Sequence, residues 1–295
     1  MIQRISDDRV RLIKINNNGV IAASRNLGIN SSIGKWIAFL DSDDWWTANK
    51  LEKVIPYLDS GYDICYHDLI ITRPNIRLNF FQKKIFAYQV NKPVFNDLIQ
   101  LGNALSNSSV VVKASLIKQI GGLTEETSLI GSEDFESWIR LSKITDKFKY
   151  IPETLGYYSI GTSASTNIDQ SIANLDYVER QYIAKFNEKH KLERPVWWIY
   201  AYSRALYLKG DILDARNLLR KLLKRDITII LRLKAYYMMS VSNINFTKKV
   251  MSFWQAFPDP DDYANWEVFK QNRFKLANHV LRNKMLYNSV DFNYS

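Results

Sequence analysis

The stretch from Gly34 to Trp46, G-K-W-I-A-F-L-D-S-D-D-W-W, constrains this chain more than any other. Trp36 to Leu40 is apolar, contains no Pro or Gly, and reads as a buried strand. Asp41, Asp43 and Asp44 follow it at once, with Ser42 between the first two. Three carboxylates at the end of a buried strand are costly unless something positive sits among them. The carboxyl end of a strand in an α/β sheet is also where ligands bind. The residues therefore suit a hard divalent cation, Mg2+ or Mn2+, held by oxygen together with substrate phosphates. They would equally make a solvated acidic turn, with Asp41 or Ser42 capping a helix that starts near Thr47.

Composition narrows the class. The chain has 295 residues, 46% of them hydrophobic and 24% charged, which is ordinary for a globular protein. A single cysteine, Cys65, excludes a disulfide framework and fits a reducing cytoplasm. No apolar run is long enough to span a bilayer, and the N-terminus carries no signal-peptide pattern. The net charge is +10. From Asp169 onward there are 21 Lys and Arg against 13 Asp and Glu, so this region holds most of the excess. No nucleic-acid module is present, with neither an aromatic RNP-like pattern nor a Cys/His finger spacing. The basic tail instead suits an anionic membrane surface, giving a cytoplasmic protein peripheral on the inner face of the membrane.

Along the chain, V-R-L-I-K-I (Val10 to Ile15) reads as a short strand, and Asn16 to Gly19 as a turn. Helices are expected at Ile21 to Asn30 and Ala48 to Leu58, and a strand at Asp63 to Leu69. Ile71 to Pro93 reads as a pair of strands with a variable loop. Asn107 to Lys113 reads as a strand, and Ser115 to Ile120 as a helix ended by Gly121 and Gly122. Asp134 to Ile144 has the spacing of an amphipathic helix. Phe148 to Ile151 and Leu155 to Tyr158 read as two extended pieces, and Gly161 to Asn167 as a loop rich in Ser, Thr and Gly. Strand and helix alternate up to this point, an α/β pattern with parallel crossovers.

From Asp169 strand signals stop. Ser171 to Lys189 is helical, and Pro195 opens a further helix. Tyr200 to Leu223 reads as helix, Gly-Asp turn, helix, like one tetratricopeptide unit. Phe253 to Trp266 is an aromatic loop, followed by a basic helix from Val268 to Leu286. The domains expected are 1–168 and a helical region, 169–295.

Four blocks in this order resemble a family 2-type glycosyltransferase of the GT-A fold. They are N-N-G-V-I-A-A-S-R-N-L-G-I (Asn17 to Ile29), the Gly34–Trp46 stretch with its D-x-D, S-S-V-V-V-K-A-S-L-I-K-Q-I-G-G-L (Ser108 to Leu123), and G-S-E-D-F-E-S-W-I-R-L (Gly131 to Leu141). The resemblance implies an α/β fold: a GT-A-like (Rossmann-like) mixed, mainly parallel sheet flanked by helices, followed by an all-α C-terminal extension. It also implies a metal-dependent inverting transfer from a nucleotide-sugar, a UDP-sugar, to a glycan or lipid-linked acceptor in surface polysaccharide synthesis. Asp41, Asp43 and Asp44 would hold Mn2+ or Mg2+ on the leaving diphosphate. Arg25 would contact the donor, together with Asp41 and Asp43, or else is a surface arginine. Asp134 would be the base that deprotonates the acceptor, with Glu133 orienting it; Ser132, Glu133 and Asp134 would also suit a helix N-terminus.

Trp45 and Trp46 could stack on a sugar or pack under the sheet; Trp138 reads as core. His67 and His190 lack metal-ligand spacing.

Two departures qualify the resemblance. The family's first strand, its P-x-Y-N-like loop and its D-D-G-S-like element, which hold the nucleotide base, have no counterpart. The sequence starts at the helix leading to the third strand, as a downstream start or a truncated or degenerate product would. An impaired chain with an uncovered sheet edge is then expected. In Y-Y-S-I-G-T-S-A-S (Tyr157 to Ser165), Ser159 and Gly161 replace the Arg and His common in the family. The rival readings are a non-catalytic remnant binding a glycan or protein, and a helical-repeat interaction protein.

Overall fold

The computed structural model describes residues 7–72, 84–159 and 167–240. The first part alternates helix and strand: α1 (Ile21–Ser31), β1 (Trp36–Ala38), β2 (Trp45–Trp46), α2 (Lys50–Asp59), β3 (Ile64–Thr72), β4 (Lys84–Ile85), α3 (Val94–Leu101), β5 (Val111–Lys113), α4 (Ala114–Gln119), α5 (Glu133–Ser142) and β6 (Phe148–Ser159). A 3-10 turn at Asn107–Ser109 leads into β5. Helices follow: α6 (Ile168–Val178), α7 (Ala184–His190), α8 (Val196–Lys209), α9 (Ile212–Leu223) and α10 (Ile229–Ser240), with a π turn at Glu179–Ile183 between α6 and α7.

One mixed sheet runs β1-β5-β3-β6-β2, with β4 paired to β3. The fold is α/β with a curled sheet flanked by helices, consistent with a GT-A-like fold. The sheet is not mainly parallel: β3 and β6 run parallel, whereas β1 with β5, β3 with β5, β3 with β4, and β2 with β6 are antiparallel. The alternation of strand and helix suggested parallel crossovers, whose helices cover both faces of a sheet. Here both faces are covered without that arrangement. Ile64 and Tyr66 enter one core with Trp138 and Ile139 of α5, while Cys65 enters another with Val54 and Leu58 of α2. Apolar content reports burial and is silent on strand direction.

The strand expected at Val10 to Ile15 is absent, and Val10, Leu12, Ile13 and Ile15 are exposed. Its alternating pattern has no strand alongside to complete a ladder among the described residues. The two extended pieces expected around Pro152 are one strand, β6, whose register against β3 shifts on either side of Asp68. A bulge absorbs the mismatch there and bends the ladder. Helix α3 follows the Ile71 to Pro93 stretch, at a place where no element was expected. The variable loop lies largely in residues 73–83, the Ser/Thr/Gly loop largely in 160–166, and the aromatic loop and final helix beyond 240; all are outside the described residues.

The helical region continues the main core. Trp197 of α8 meets Phe135 of α5 edge to face at 5.8 Å, and its Nε1 donates to the Ile99 carbonyl of α3 at 2.9 Å. The Tyr182 hydroxyl donates to Glu136 of α5. Gly210, with φ 110°, ends α8 and turns the chain into α9, a backbone conformation that glycine adopts without strain. Among the described residues no helix is long and apolar enough to cross a membrane.

Candidate active site

All four sequence blocks meet at one point. β1 ends at Ala38, and Phe39 N still donates to the Val110 carbonyl at 3.2 Å, so the chain leaves the sheet edge at Asp41. Asp41 is fixed from two sides. Its backbone N–H donates to Ser108 Oγ at 3.1 Å, and its Oδ1 accepts Asn107 Nδ2 at 3.0 Å. Arg25, four residues into α1, then reaches across. Nη2 donates to Asp41 Oδ1 at 2.5 Å, and Nη1 donates to Glu133 Oε1. The Arg25 side chain is 16% exposed and that of Glu133 is 5%. Burial works against the guanidinium's charge, but Asp41 and Glu133 outweigh it and its pKa lies above the ordinary value.

Glu133 opens α5, and its second oxygen accepts the Gly131 N–H at 2.6 Å. Asp134 Oδ1 accepts the Phe135 N–H at 2.7 Å. Burial, then the charge of Glu133, pushes the Asp134 carboxyl up to about 7, and Arg25 opposes this. A carboxyl poised there exchanges a proton near neutral pH, which is what a general base requires.

The acidic loop divides its roles. Asp43 is exposed, whereas Asp44 is buried and its Oδ1 accepts the Ser159 N–H at 2.9 Å, which clasps the loop to the end of β6. Burial pushes Asp44 above the usual carboxylate range, and Asp41 and Asp43 add to this. Its Oδ2 is buried without a hydrogen-bond partner. Among the described residues no group of three or more His, Cys, Asp or Glu could by itself hold a metal ion.

Four further residues surround these carboxylates. Asn107 and Ser108 hold Asp41, Lys50 lies beneath the loop, and Tyr158 lies near the carboxylates. Burial first, then Asp44, Asp134, Asp41 and Asp43, holds the Tyr158 hydroxyl proton above its usual range. Only the Tyr pair in the family resemblance could have pointed to Tyr158. Trp46 turns inward, its Nε1 donating to the Ser108 carbonyl at 2.9 Å, whereas Trp45 is exposed and stacks on Tyr157 at 5.1 Å. Trp138 is fully buried core. His67 is buried, with Nδ1 2.8 Å from the Asp68 carbonyl, and burial pushes it down to about 3. His190 lies against the Phe186 ring.

The family model for glycosyl transferase family 2 matches residues 1–117, which include Arg25, the acidic loop and the Asn107–Ser108 turn. An uncharacterized glycosyltransferase of Methanocaldococcus jannaschii is 28% identical over 218 residues, 68% of this chain and 69% of that protein. The succinoglycan biosynthesis protein ExoO of Rhizobium meliloti is 40% identical over 99 residues, 32% of this chain and 28% of that protein. The Escherichia coli UDP-Glc:alpha-D-GlcNAc-diphosphoundecaprenol beta-1,3-glucosyltransferase WfaP is 25% identical over 143 residues, 48% of this chain and 52% of that protein. Residues 1–117 of the chain are thus similar to glycosyltransferase family 2, and its relatives are named glycosyltransferases. Glu133 and Asp134 lie beyond the family-model match and join the site through Arg25.

Proposed function

We propose that the chain is an inverting glycosyltransferase that moves a sugar from a UDP-sugar to a glycan or lipid-linked acceptor in surface polysaccharide synthesis, with Mn2+ or Mg2+ as cofactor. The observation that carries this reading is the Arg25 bridge, which joins the loop of Asp41 to the helix of Glu133 and Asp134. The names of the relatives agree: WfaP acts from UDP-Glc onto a diphosphoundecaprenol acceptor, and ExoO serves succinoglycan biosynthesis.

In this reading Asp134 accepts the proton of the acceptor hydroxyl as that oxygen attacks the sugar carbon from the face opposite the leaving diphosphate. Glu133 and Arg25 hold the base and Asp41 in register, so Arg25 serves the donor site through Asp41. The carboxylates suit a divalent cation in one respect. Asp43 is exposed on the same short loop as Asp41, and Mg2+ is commonly held by one or two carboxylates plus substrate phosphates. Asp43 and Asp41 would be its protein ligands, while Asp44 fixes the loop. Such an ion would neutralise charge developing on the diphosphate. The basic region from Asp169 onward, with its excess of Lys and Arg, would meet an anionic membrane where lipid-linked acceptors reside.

The test is calorimetric titration of UDP into the protein with Mn2+ and with EDTA. Binding that requires Mn2+ is expected. Absence of binding in both conditions would favour a remnant that recognises a glycan or protein without transferring sugar.

A further inference from the structure

Lys50 is the first residue of α2, where a lysine ordinarily reaches into water, yet it is 1% exposed. Its Nζ donates to the Ser108 carbonyl at 2.9 Å and lies 3.9 Å from the centroid of the Trp46 ring. Burial pushes the amine down to about 6, and no carboxylate offsets it. Burying an amine without a counter-charge is expensive. A methionine would fill similar space without that cost, so packing does not explain the choice.

The acceptor of this hydrogen bond explains it better. The Ser108 carbonyl already receives Trp46 Nε1 at 2.9 Å, and one donor satisfies a buried carbonyl. A second donor restrains the peptide further. That peptide matters because Ser108 Oγ receives the Asp41 N–H, and the preceding residue, Asn107, binds the Asp41 carboxylate. Ser108 is itself buried, so the loop is referenced to a point that solvent does not disturb.

We propose that Lys50 is a positioning residue for the carboxylate loop, acting through the Ser108 carbonyl to set where Asp41 meets the donor. The amine and the Trp46 indole grip one oxygen from two elements, α2 and β2, and the Asn107–Ser108 turn carries that constraint to Asp41. The link to the donor rests on the proposed function; the link to the loop does not.

The experiment compares the full chain with Lys50→Met by hydrogen–deuterium exchange over residues 39–46 and by calorimetric titration of UDP with Mn2+. Exchange over the loop is expected to rise about tenfold, and the UDP dissociation constant about tenfold, with no fall in Tm. Unchanged loop exchange overturns the proposal, even if the wild type binds no UDP. Faster exchange with unchanged UDP affinity overturns the link to the donor. A wild type that binds no UDP also defeats the donor link and the proposed function, while loop exchange still decides the structural half. A Tm that falls in step with affinity would reduce Lys50 to a general packing role and overturn the proposal. If Lys50→Met does not fold, Trp46→Phe removes the other donor to the same carbonyl and is expected to raise loop exchange about threefold; no change there overturns it equally.

Discussion

Arg25 and Asp41 stand 16 residues apart in sequence and 2.5 Å apart in space, and the same guanidinium also bonds Glu133. One cation thus compensates two carboxylates from different elements. Removing it leaves Glu133 buried with its charge unpaired. Arg25→Met should therefore destabilise the chain by roughly 3 kcal/mol, the scale for breaking a buried pair. Adding Glu133→Gln should restore at least half of that, read from urea unfolding midpoints.

Asp134 gives a pH prediction of definite sign. Its folded pKa of about 7 lies above the ordinary 3.8. The neutral carboxyl suits the folded site, so its contribution is fully present in acid and is lost as pH rises towards about 7. Catalysis needs the opposite form, so kcat/KM should rise with pH through this range and then level off. Asp134→Asn should abolish that limb and lower kcat by roughly 100-fold or more. The same variant should melt a few degrees higher at pH 8 and equally near pH 4, as scanning calorimetry would show.

Asp43 and Asp44 separate in their effects. Asp43→Asn, at an exposed position, should leave Tm unchanged and weaken Mn2+ binding in the presence of UDP by at least the order of 10-fold that even outer-shell changes cause. Asp44→Asn should alter stability, because it touches the clasp to Ser159. Metal titrations paired with melting curves distinguish the two.

Tyr182 reports on the scaffold. Its hydroxyl bonds Glu136, which also pairs with Arg140 at 2.8 Å. Tyr182→Phe should cost about 1.5–3 kcal/mol, as for a hydrogen bond to a charged group, with UDP release per folded molecule unchanged.

Much of this site could be read from the chain itself. A buried run ending in carboxylates placed Asp41 at a sheet edge, and ordered motifs joined it to Arg25 and Glu133. What the sequence hid were matters of direction and depth. Lys50 looked like any lysine opening an amphipathic helix, since its burial depends on Ser108 and Trp46, which arrive from elsewhere in the fold. Asp44 looked equivalent to Asp41 and Asp43 until the end of β6 met it. The antiparallel pairings escaped because alternation of strand and helix leaves open the direction in which each strand enters the sheet. Asn107 and Ser108 looked like the start of a strand, whereas their 3-10 turn frees both side chains to hold Asp41.

The most direct measurement is UDP release from a panel of UDP-sugars, with Mn2+ at pH 8, by the wild type and by Asp134→Asn. Release by the wild type with at least one donor is expected, with a loss of roughly 100-fold or more in the variant. Equal release by the two proteins, or none by the wild type with any donor, would contradict it.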